Sequence, residues 1–448
     1  MGEAVMRHAL GQKITLGSLL KFTLPSIVMM VIMSLYTVVD GVFVSRLIGT
    51  DAFSAVNIAY PLLSVAIALG TMFGTGTTAI ISKKLGEGRR QEANENLTFV
   101  LVFTAILGVF LAVAGIVLLR PTLFLLGANE AVYGYCKEYA CLLLLFVPMQ
   151  LLQLQFQSFF VADASPGKGL FVTVLGGCAN IVLDYVFIRW LGMGIGGAAI
   201  ATGIGYSIPA VYGLVYFARG RTGNFRLVRP KADWRMLWRA VTNGSSEMVT
   251  NLSASITTLL FNLIMMHFIG PDGVAAISIL LYLDFVLIAI SLGYSMGVAP
   301  LFGYHYGAQD AQKLKKLYKL SLWLCTGVGC VMTVGTMLFS HPLTAVFTPK
   351  GTAVYELAAA GLRIYAAGYV FKGYNVFASA MFTAFGDGKV SALLSFLRTL
   401  VFLVISLVAL AALFGVDGVW YASPLAETLA VGLAAFCTVR YRKKYGYL

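Results

Sequence analysis

Twelve apolar runs, each long enough to cross a lipid bilayer, leave this chain very few folds. A bilayer core takes about 20 residues of helix. Cutting the 448-residue sequence at polar or Gly/Pro-rich breaks gives runs near 16–45, 53–82, 96–119, 136–161, 169–190, 195–217, 237–268, 275–301, 316–339, 354–383, 389–413 and 417–440. Within hydrocarbon every peptide group must be satisfied by the chain itself, so each run is expected to be an α-helix. Hydrophobic residues make up 59% and charged ones 11%, against about 45–50% and 25% in soluble domains. With a mean hydropathy of +0.85, too little polar surface remains for a soluble shell. Secreted disulfide scaffolds, disordered regulators and nucleic-acid binders are thereby excluded. Six cysteines (Cys136, Cys141, Cys178, Cys325, Cys330, Cys437) lie in apolar stretches without CxxC spacing, so they read as small buried apolar residues rather than metal ligands or disulfides. Residues 1–12 are polar and carry Arg7, and the first apolar run lacks a small-residue cleavage site, so it reads as a spanning helix and not a removable signal.

The net charge of +13 is a matter of topology. Of the 32 Lys and Arg residues, 24 fall on one side, in the N-terminus, alternate loops and the C-terminus. Only Arg46, Arg120, Lys137, Arg189 and Lys350 fall opposite, while Arg363, Lys372 and Arg398 sit within or beside runs. The positive-inside rule then places both termini in the cytoplasm of a cell-membrane protein, with anionic-lipid attraction as a secondary effect.

The chain also repeats itself. Its longest polar link, residues 218–235, separates six runs from six, giving an expected N-terminal lobe at 1–217 and a C-terminal lobe at 236–448. At an offset of 221 residues Ile48-Gly49-x-Asp51 realigns with Ile269-Gly270-x-Asp272, Ala55 with Ala276, Gly86 with Gly307, Gly167-Lys168 with Gly388-Lys389, Gly194 with Gly415, Gly197 with Gly418, and Thr202 with Ser423. A two-residue shift intervenes at Gly70/Gly293 and Gly74/Gly297. Recurrence at one offset across several helix pairs marks a duplication. Six helices per copy is an even number, so both copies enter from the same side and should be related by an axis along the membrane normal, with a central cavity between them. The expected architecture is an all-α integral membrane protein of twelve helices in two six-helix pseudo-repeated lobes.

A charge at bilayer depth costs several kcal/mol. The residues placed there, Asp40, Asp163, Asp184, Glu247, Asp284, Lys372, Arg398 and Glu427, therefore form the functional shortlist. At the repeat offset Asp40 maps to Phe261, Asn180 to Val401 and Asp184 to Ile405, so this polar cluster exists only in the first lobe. Tyr36/Asp40 and Asn180/Asp184 are i,i+4 pairs, each projecting from one helix face. If the first and fifth helices meet, the two carboxylates, the Asn180 amide and the Tyr36 and Thr202 hydroxyls make an all-oxygen site. Oxygen ligands suit a hard cation such as Na+ at Asp40, Asn180, Asp184 and Thr202. Two close carboxylates also resist double ionisation, so one readily holds a proton. The competing reading is that Asp40 and Asp184 cap helices near the outer interface or pair with Arg46 and Arg189; the i,i+4 pairs within apolar runs favour the site.

Elsewhere, Glu247 follows Gly244-Ser245-Ser246 and reads either as a helix-entry residue of the seventh helix or as a functional carboxylate. Asp284 and Glu427 either line a polar cavity in the second lobe or neutralise Lys372 and Arg398. Asp163, next to Ser165-Pro166-Gly167-Lys168, reads as a helix end. Phe156, Phe159, Tyr282, Tyr294, Met265 and Met266 suit either a promiscuous pocket or simple packing. HExxH, Walker GxxxxGK[ST], GxSxG and Cys/His pairings are absent from the sequence. No catalytic residue, cofactor or enzymatic activity is therefore expected.

The chain resembles bacterial members of the multidrug and toxic compound extrusion family over nearly its whole length. The first helix carries Leu24-Pro25 through Asp40-Gly41-Val42-Phe43-Val44 to Ile48-Gly49, then Ala55 and Pro61, and the second ends Ile81-Ser82-Lys83-Lys84-Leu85-Gly86-Glu87-Gly88. Asn180-Ile181-Val182-Leu183-Asp184-Tyr185 is similar to the family's Asn-x-x-x-Asp element. Gly297-Val298-Ala299-Pro300 with Tyr304-His305-Tyr306-Gly307-Ala308, and Gly418-Val419-Trp420 with Pro424-Leu425-Ala426-Glu427, resemble its second-half patterns. The resemblance implies two lobes about a central cavity, alternating access, and export of small-molecule organic cations in exchange for inward H+ or Na+. It needs the lipid bilayer, and neither an obligate protein partner nor a nucleic acid. It also implies that Tyr36, Asp40, Asn180, Asp184 and Thr202 match the first-lobe cation cluster of one branch. Two departures stand out. The fourth helix reads Phe160-Val161-Ala162-Asp163-Ala164-Ser165-Pro166-Gly167 where many members carry Arg and Asn near a DG or EG turn, which leaves Gln157 as the fourth-helix candidate. Glu247, Asp284 and Glu427 do not match the second-lobe sodium ligands of another branch. The rival within the superfamily, a lipid-linked oligosaccharide flippase, calls for a cavity rich in Arg and Lys, and few cations lie at depth here.

Overall fold

The computed structural model of the chain describes residues 10–11, 13–48, 50–220 and 223–448, and excludes the side chains of residues 38–47, 50, 51, 53 and 131. The described residues are helical or irregular, with no strand among them. The first half runs α1 (Leu16–Leu47), α2 (Thr50–Gly86), α3 (Arg90–Val117), α4 (Leu119–Leu125), α5 (Glu130–Leu145), α6 (Val147–Ala162), α7 (Pro166–Asp184) and α8 (Gly194–Arg219). The second runs α9 (Trp234–Phe268), α10 (Pro271–Gly307), α11 (Ala311–Leu338), α12 (Ser340–Ala345), α13 (Ala353–Tyr365), α14 (Tyr369–Ala384), α15 (Gly388–Phe396), α16 (Leu403–Phe414) and α17 (Val416–Tyr445). A π segment, Tyr185–Trp190, extends α7, and a second, Leu397–Phe402, joins α15 to α16.

Ten of the expected spans are single helices long and apolar enough to cross a bilayer. The fourth and tenth are not the continuous helices expected. The fourth is the pair α5/α6, bent by 56° at Phe146, just before Pro148, whose ring and missing N–H break the ladder. The tenth is broken between α13 and α14 by a 3₁₀ turn, Ala366–Gly368. These breaks obey the duplication: Phe146 and Ala367 lie 221 residues apart, as do the starts of α4 and α12 and the ends of α2 and α10. Two copies of one six-span pattern, irregularities included, account for the fold.

Each half has a core of its own. Leu63, Leu123, Leu143 and Leu151 anchor one cluster, and Phe261, Leu280, Leu362 and Trp420 anchor the equivalent one. The halves meet through α1, α2, α9 and α10, on the side that collects the basic loops. There the backbones come so close that only glycine fits. A Cβ on Gly86 would lie 2.0 Å from the Tyr304 carbonyl oxygen, and one on Gly307 would lie 2.1 Å from that of Lys83. Lys83 and Tyr304 are themselves repeat partners, so this contact is reciprocal about the pseudo-twofold axis. Gly76 and Gly244 bring α2 as close to α9: a Cβ on either would lie 1.9 Å from a carbonyl oxygen, of Ala240 and of Met72 respectively. Small residues at helix crossings are what close packing in a membrane needs, since lipid gives apolar faces no reason to separate from it.

The segment joining the halves is strapped to the first one. Phe225 is buried among Phe156, Phe160 and Phe217. The amides of Phe225, Arg226 and Val228 donate to Asp163 Oδ1 (2.9 Å), Asn94 Oδ1 (3.0 Å) and Thr98 Oγ1 (3.1 Å). Asp163, which caps the end of α6, also accepts from the Tyr216 hydroxyl at 2.7 Å, so the helix-end reading holds. Three of the six cysteines, Cys136, Cys325 and Cys437, are buried, but Cys178 and Cys330 are exposed on the outer surface and Cys141 is intermediate. The all-buried expectation is corrected there, since facing lipid costs a small apolar thiol nothing.

Candidate functional site

The first and fifth spans do pack together, and a small polar cavity opens where α1, α6, α7 and α8 converge. α7 approaches α8 through Gly176: a Cβ there would sit 2.7 Å from the Gly205 carbonyl oxygen. The cavity, about 10 Å³, is lined by Tyr36, Gln153, Thr173, Asn180, Thr202 and Tyr206 together with glycines and Pro209. That volume admits roughly one water-sized body. The Asn180 amide donates to Thr202 Oγ1 at 3.3 Å, joining α7 to α8. Its carbonyl oxygen Oδ1, the Gln153 Oε1 and the Thr173 hydroxyl are buried without a hydrogen-bond partner among the described residues. Unmet acceptors in a low-dielectric interior cost roughly 1–3 kcal/mol each, which a small cation would recover.

Of the residues expected from sequence, Tyr36, Asn180 and Thr202 line this cavity. Asp184 lies one helical turn beyond Asn180, fully buried, where α7 passes into the π segment. Such π-bulges are frequent at functional sites. Asp40 lies outside the residues whose side chains are described. Gln157 is buried beside the site and its amide donates to Met33 Sδ at 3.1 Å, tying α6 to α1. Gln153 and Thr173 were not anticipated. The spacing of Gln150, Gln153 and Gln157, one face of one helix, was the available signal; neutral amides were outranked by charges.

The second half places its charges in pairs. Lys372 Nζ donates to Asp284 at 2.6 and 2.9 Å, and Arg398 Nη1 donates to Glu427 Oε1 at 3.4 Å. Asn375 bridges from α14 to Glu427 Oε2 at 2.7 Å. Of the two readings open from sequence, neutralising pairs are what the geometry gives. Arg398 belongs to the π segment between α15 and α16, so a charged residue beside a π segment occurs in the fifth span of each half. For Glu247 the helix-entry reading is corrected: α9 starts at Trp234 and Asp233 is its cap, accepting the Met236 amide, which leaves Glu247 well inside the helix. Phe156, Phe159, Met265 and Tyr294 are buried within the apolar clusters of their lobes and pack there. Tyr282 and Met266 remain exposed. Among the described residues no three His, Cys, Asp or Glu side chains gather as a metal site.

The two halves also match one family model separately, at residues 25–186 and 248–408. The chain belongs to the MatE family. Among its relatives, "Multidrug export protein MepA" of Staphylococcus haemolyticus (strain JCSC1435) is 23% identical over 428 residues, covering 95% of this chain and 94% of that protein. A crystal structure of MATE in complex with MaL6 superposes with a TM-score of 0.93 at 22% identity over 99% of both chains. The outward-facing conformation of a multidrug resistance MATE family transporter of the MOP superfamily gives 0.90 at 23% identity over 96% of both. At such identities the structural likeness fixes the fold, a MatE two-lobe bundle, and leaves the site to be argued from this chain's own residues.

Proposed function

We propose that this MatE chain is a secondary antiporter of the cell membrane, with both termini cytoplasmic, that exports organic cations or drugs against an inward flow of H+ or Na+. The observation that carries the reading is the cavity of the first lobe. It is ion-sized, ringed by unmet oxygens and stands one turn from the buried Asp184 carboxylate, and its repeat counterpart has been replaced by Val401 and Ile405. A cation or proton taken up there shifts the lobes' equilibrium only by its differential affinity for the two states, so a site built in one lobe is enough to couple ion entry to substrate exit. The naming of relatives as multidrug export proteins supports the choice of substrate class. A lipid-linked oligosaccharide flippase fits less well, because its pyrophosphate calls for a cavity rich in Arg and Lys, and the cations at depth among the described residues, Lys372 and Arg398, each stand beside a carboxylate, Asp284 and Glu427. An enzymatic role has no motif behind it.

The test is uptake of ethidium into inside-out vesicles under a sodium gradient and, separately, a proton gradient. One gradient should drive uptake, and Asp184→Asn and Asp40→Asn should each abolish it while membrane insertion is retained. Full gradient-driven uptake by the double variant removes the carboxylates from the mechanism.

A further inference from the structure

The ion pair of the second lobe has the construction of a ligand site. Lys372 Nζ is clasped by both oxygens of Asp284, and the ring centroids of Tyr365 and Tyr369 each lie 5.4 Å from it. A carboxylate with two aromatic faces around one ammonium is how proteins recognise organic cations. The Tyr365 hydroxyl donates to Asp284 Oδ2 at 3.3 Å, holding the carboxylate in place. The Tyr369 hydroxyl is buried without a hydrogen-bond partner among the described residues.

Packing does not demand this cluster. At the repeat offset Asp284 corresponds to Leu63, Tyr365 to Leu144 and Lys372 to Leu151, three leucines of the first lobe's apolar core. Buried ion pairs seldom stabilise a fold more than the apolar residues that can replace them, so keeping one where the sister lobe has leucine points to use. Lys372 has somewhere to go: Asn375, three residues along the same face of α14, holds Glu427, whose other partner is Arg398. Glu427 is thus a second carboxylate near the ammonium, shared with Arg398.

We propose that Asp284, Tyr365 and Tyr369 form a binding site for the transported organic cation and that Lys372 is a tethered ammonium occupying it between substrates. Substrate entry displaces Lys372 toward Glu427, and its return helps expel the cargo, so the carboxylate is never left bare. This rests on the organic-cation reading above and adds where the cation sits and what competes with it.

The experiment is ethidium binding to the purified full-length protein, followed by fluorescence anisotropy, with melting temperatures recorded alongside. Removing the competitor in Lys372→Gln should tighten binding on the order of tenfold, and ethidium should raise that variant's melting temperature more than the wild type's. Lys372→Arg, which keeps the charge but forks onto the carboxylate in two hydrogen bonds, should weaken binding. Asp284→Asn should weaken it too and, combined with Lys372→Gln, should erase the gain. If Lys372→Gln does not fold, the Arg variant and the doubly neutral variant carry the test. Unchanged affinity in Lys372→Arg and Asp284→Asn, with the wild type binding and exporting ethidium, overturns the tethered-ammonium proposal alone. A wild type that neither binds nor exports ethidium overturns the organic-cation reading and this inference with it.

Discussion

At the scale of single residues, a buried polar atom is informative in proportion to what it lacks. Gln153 Oε1, Thr173 Oγ1 and Asn180 Oδ1 face one small cavity without partners among the described residues. A structural role would ask for their satisfaction, and an ion-binding role explains why they are left open. Gln153→Leu separates the two. It is close in shape and removes an unmet acceptor, so stability should stay within about 1 kcal/mol of the wild type or rise. Coupled ethidium export, by contrast, should fall by on the order of tenfold, as expected for a lost ligand worth about 1.4 kcal/mol. Unchanged gradient-driven uptake in that variant would make Gln153 a packing residue. The sequence made Tyr36, Asn180, Asp184 and Thr202 legible because spacing and repeat asymmetry are one-dimensional facts. Thr173 was hidden because nothing along the chain says that α6 and α7 turn those faces toward each other, and the glutamine face of α6, visible in the spacing of Gln150, Gln153 and Gln157, did not say what it meets. Glu247 was misread for the opposite reason: the run Gly244-Ser245-Ser246 looks like a helix start, but Asp233 had already capped the helix more than three turns earlier.

At the scale of elements, hydropathy located the spans, ten of them single helices among the described residues, and missed what happens within the fourth and tenth, the bend at Phe146 and the 3₁₀ turn at Ala366–Gly368. Both are local departures that leave the apolar count unchanged. The strap between the lobes was equally invisible, because a polar, basic stretch reads as a loose linker until the carboxylate that receives it is placed. Asp163, outside the spanning helices and fully buried, is that carboxylate. Burial lifts its carboxyl from 3.8 to about 6, against the opposing hydrogen bonds from Tyr216 and the amides of Phe225 and Asn224 and the charge of Lys168. A carboxyl whose pKa is higher in the folded state favours the protonated fold. Its contribution is therefore complete below about pH 4 and is lost as the pH rises through about 6. Asp163→Asn cannot ionise yet keeps an acceptor oxygen for Phe225. It should flatten the decline in melting temperature between pH 4 and 6.5 that the wild type shows. Parallel declines in the two proteins would assign the pH dependence to other groups.

At the scale of the whole molecule, duplication supplies more than two lobes; it supplies the axis about which they meet. The reciprocal contacts of Gly86 with Tyr304 and Gly307 with Lys83 place that axis between α2 and α10 on the basic side, and Gly76 and Gly244 extend the seam to α9. Under the antiport proposed above, alternating access would part this seam when the basic side opens, so contacts made here would belong to one state only. Whatever weakens them shifts the population toward the other state by the free energy removed. Gly244→Ala is the smallest such change, since its Cβ would lie 1.9 Å from the Met72 carbonyl oxygen, closer than any backbone tolerates, and the lobes must move apart to admit it. Spin labels on the basic side, at Gln91 of the first lobe and Lys316 of the second, should report a longer mean distance in this variant, and coupled export should fall because the return to the closed seam is penalised. Gly432→Ala is the control: it has open space around it and should leave both distance and export unchanged. A Gly244→Ala protein that is folded, with an unaltered distance distribution, would mean that α2 and α9 slide to accommodate the methyl and that the seam is not where this transporter closes.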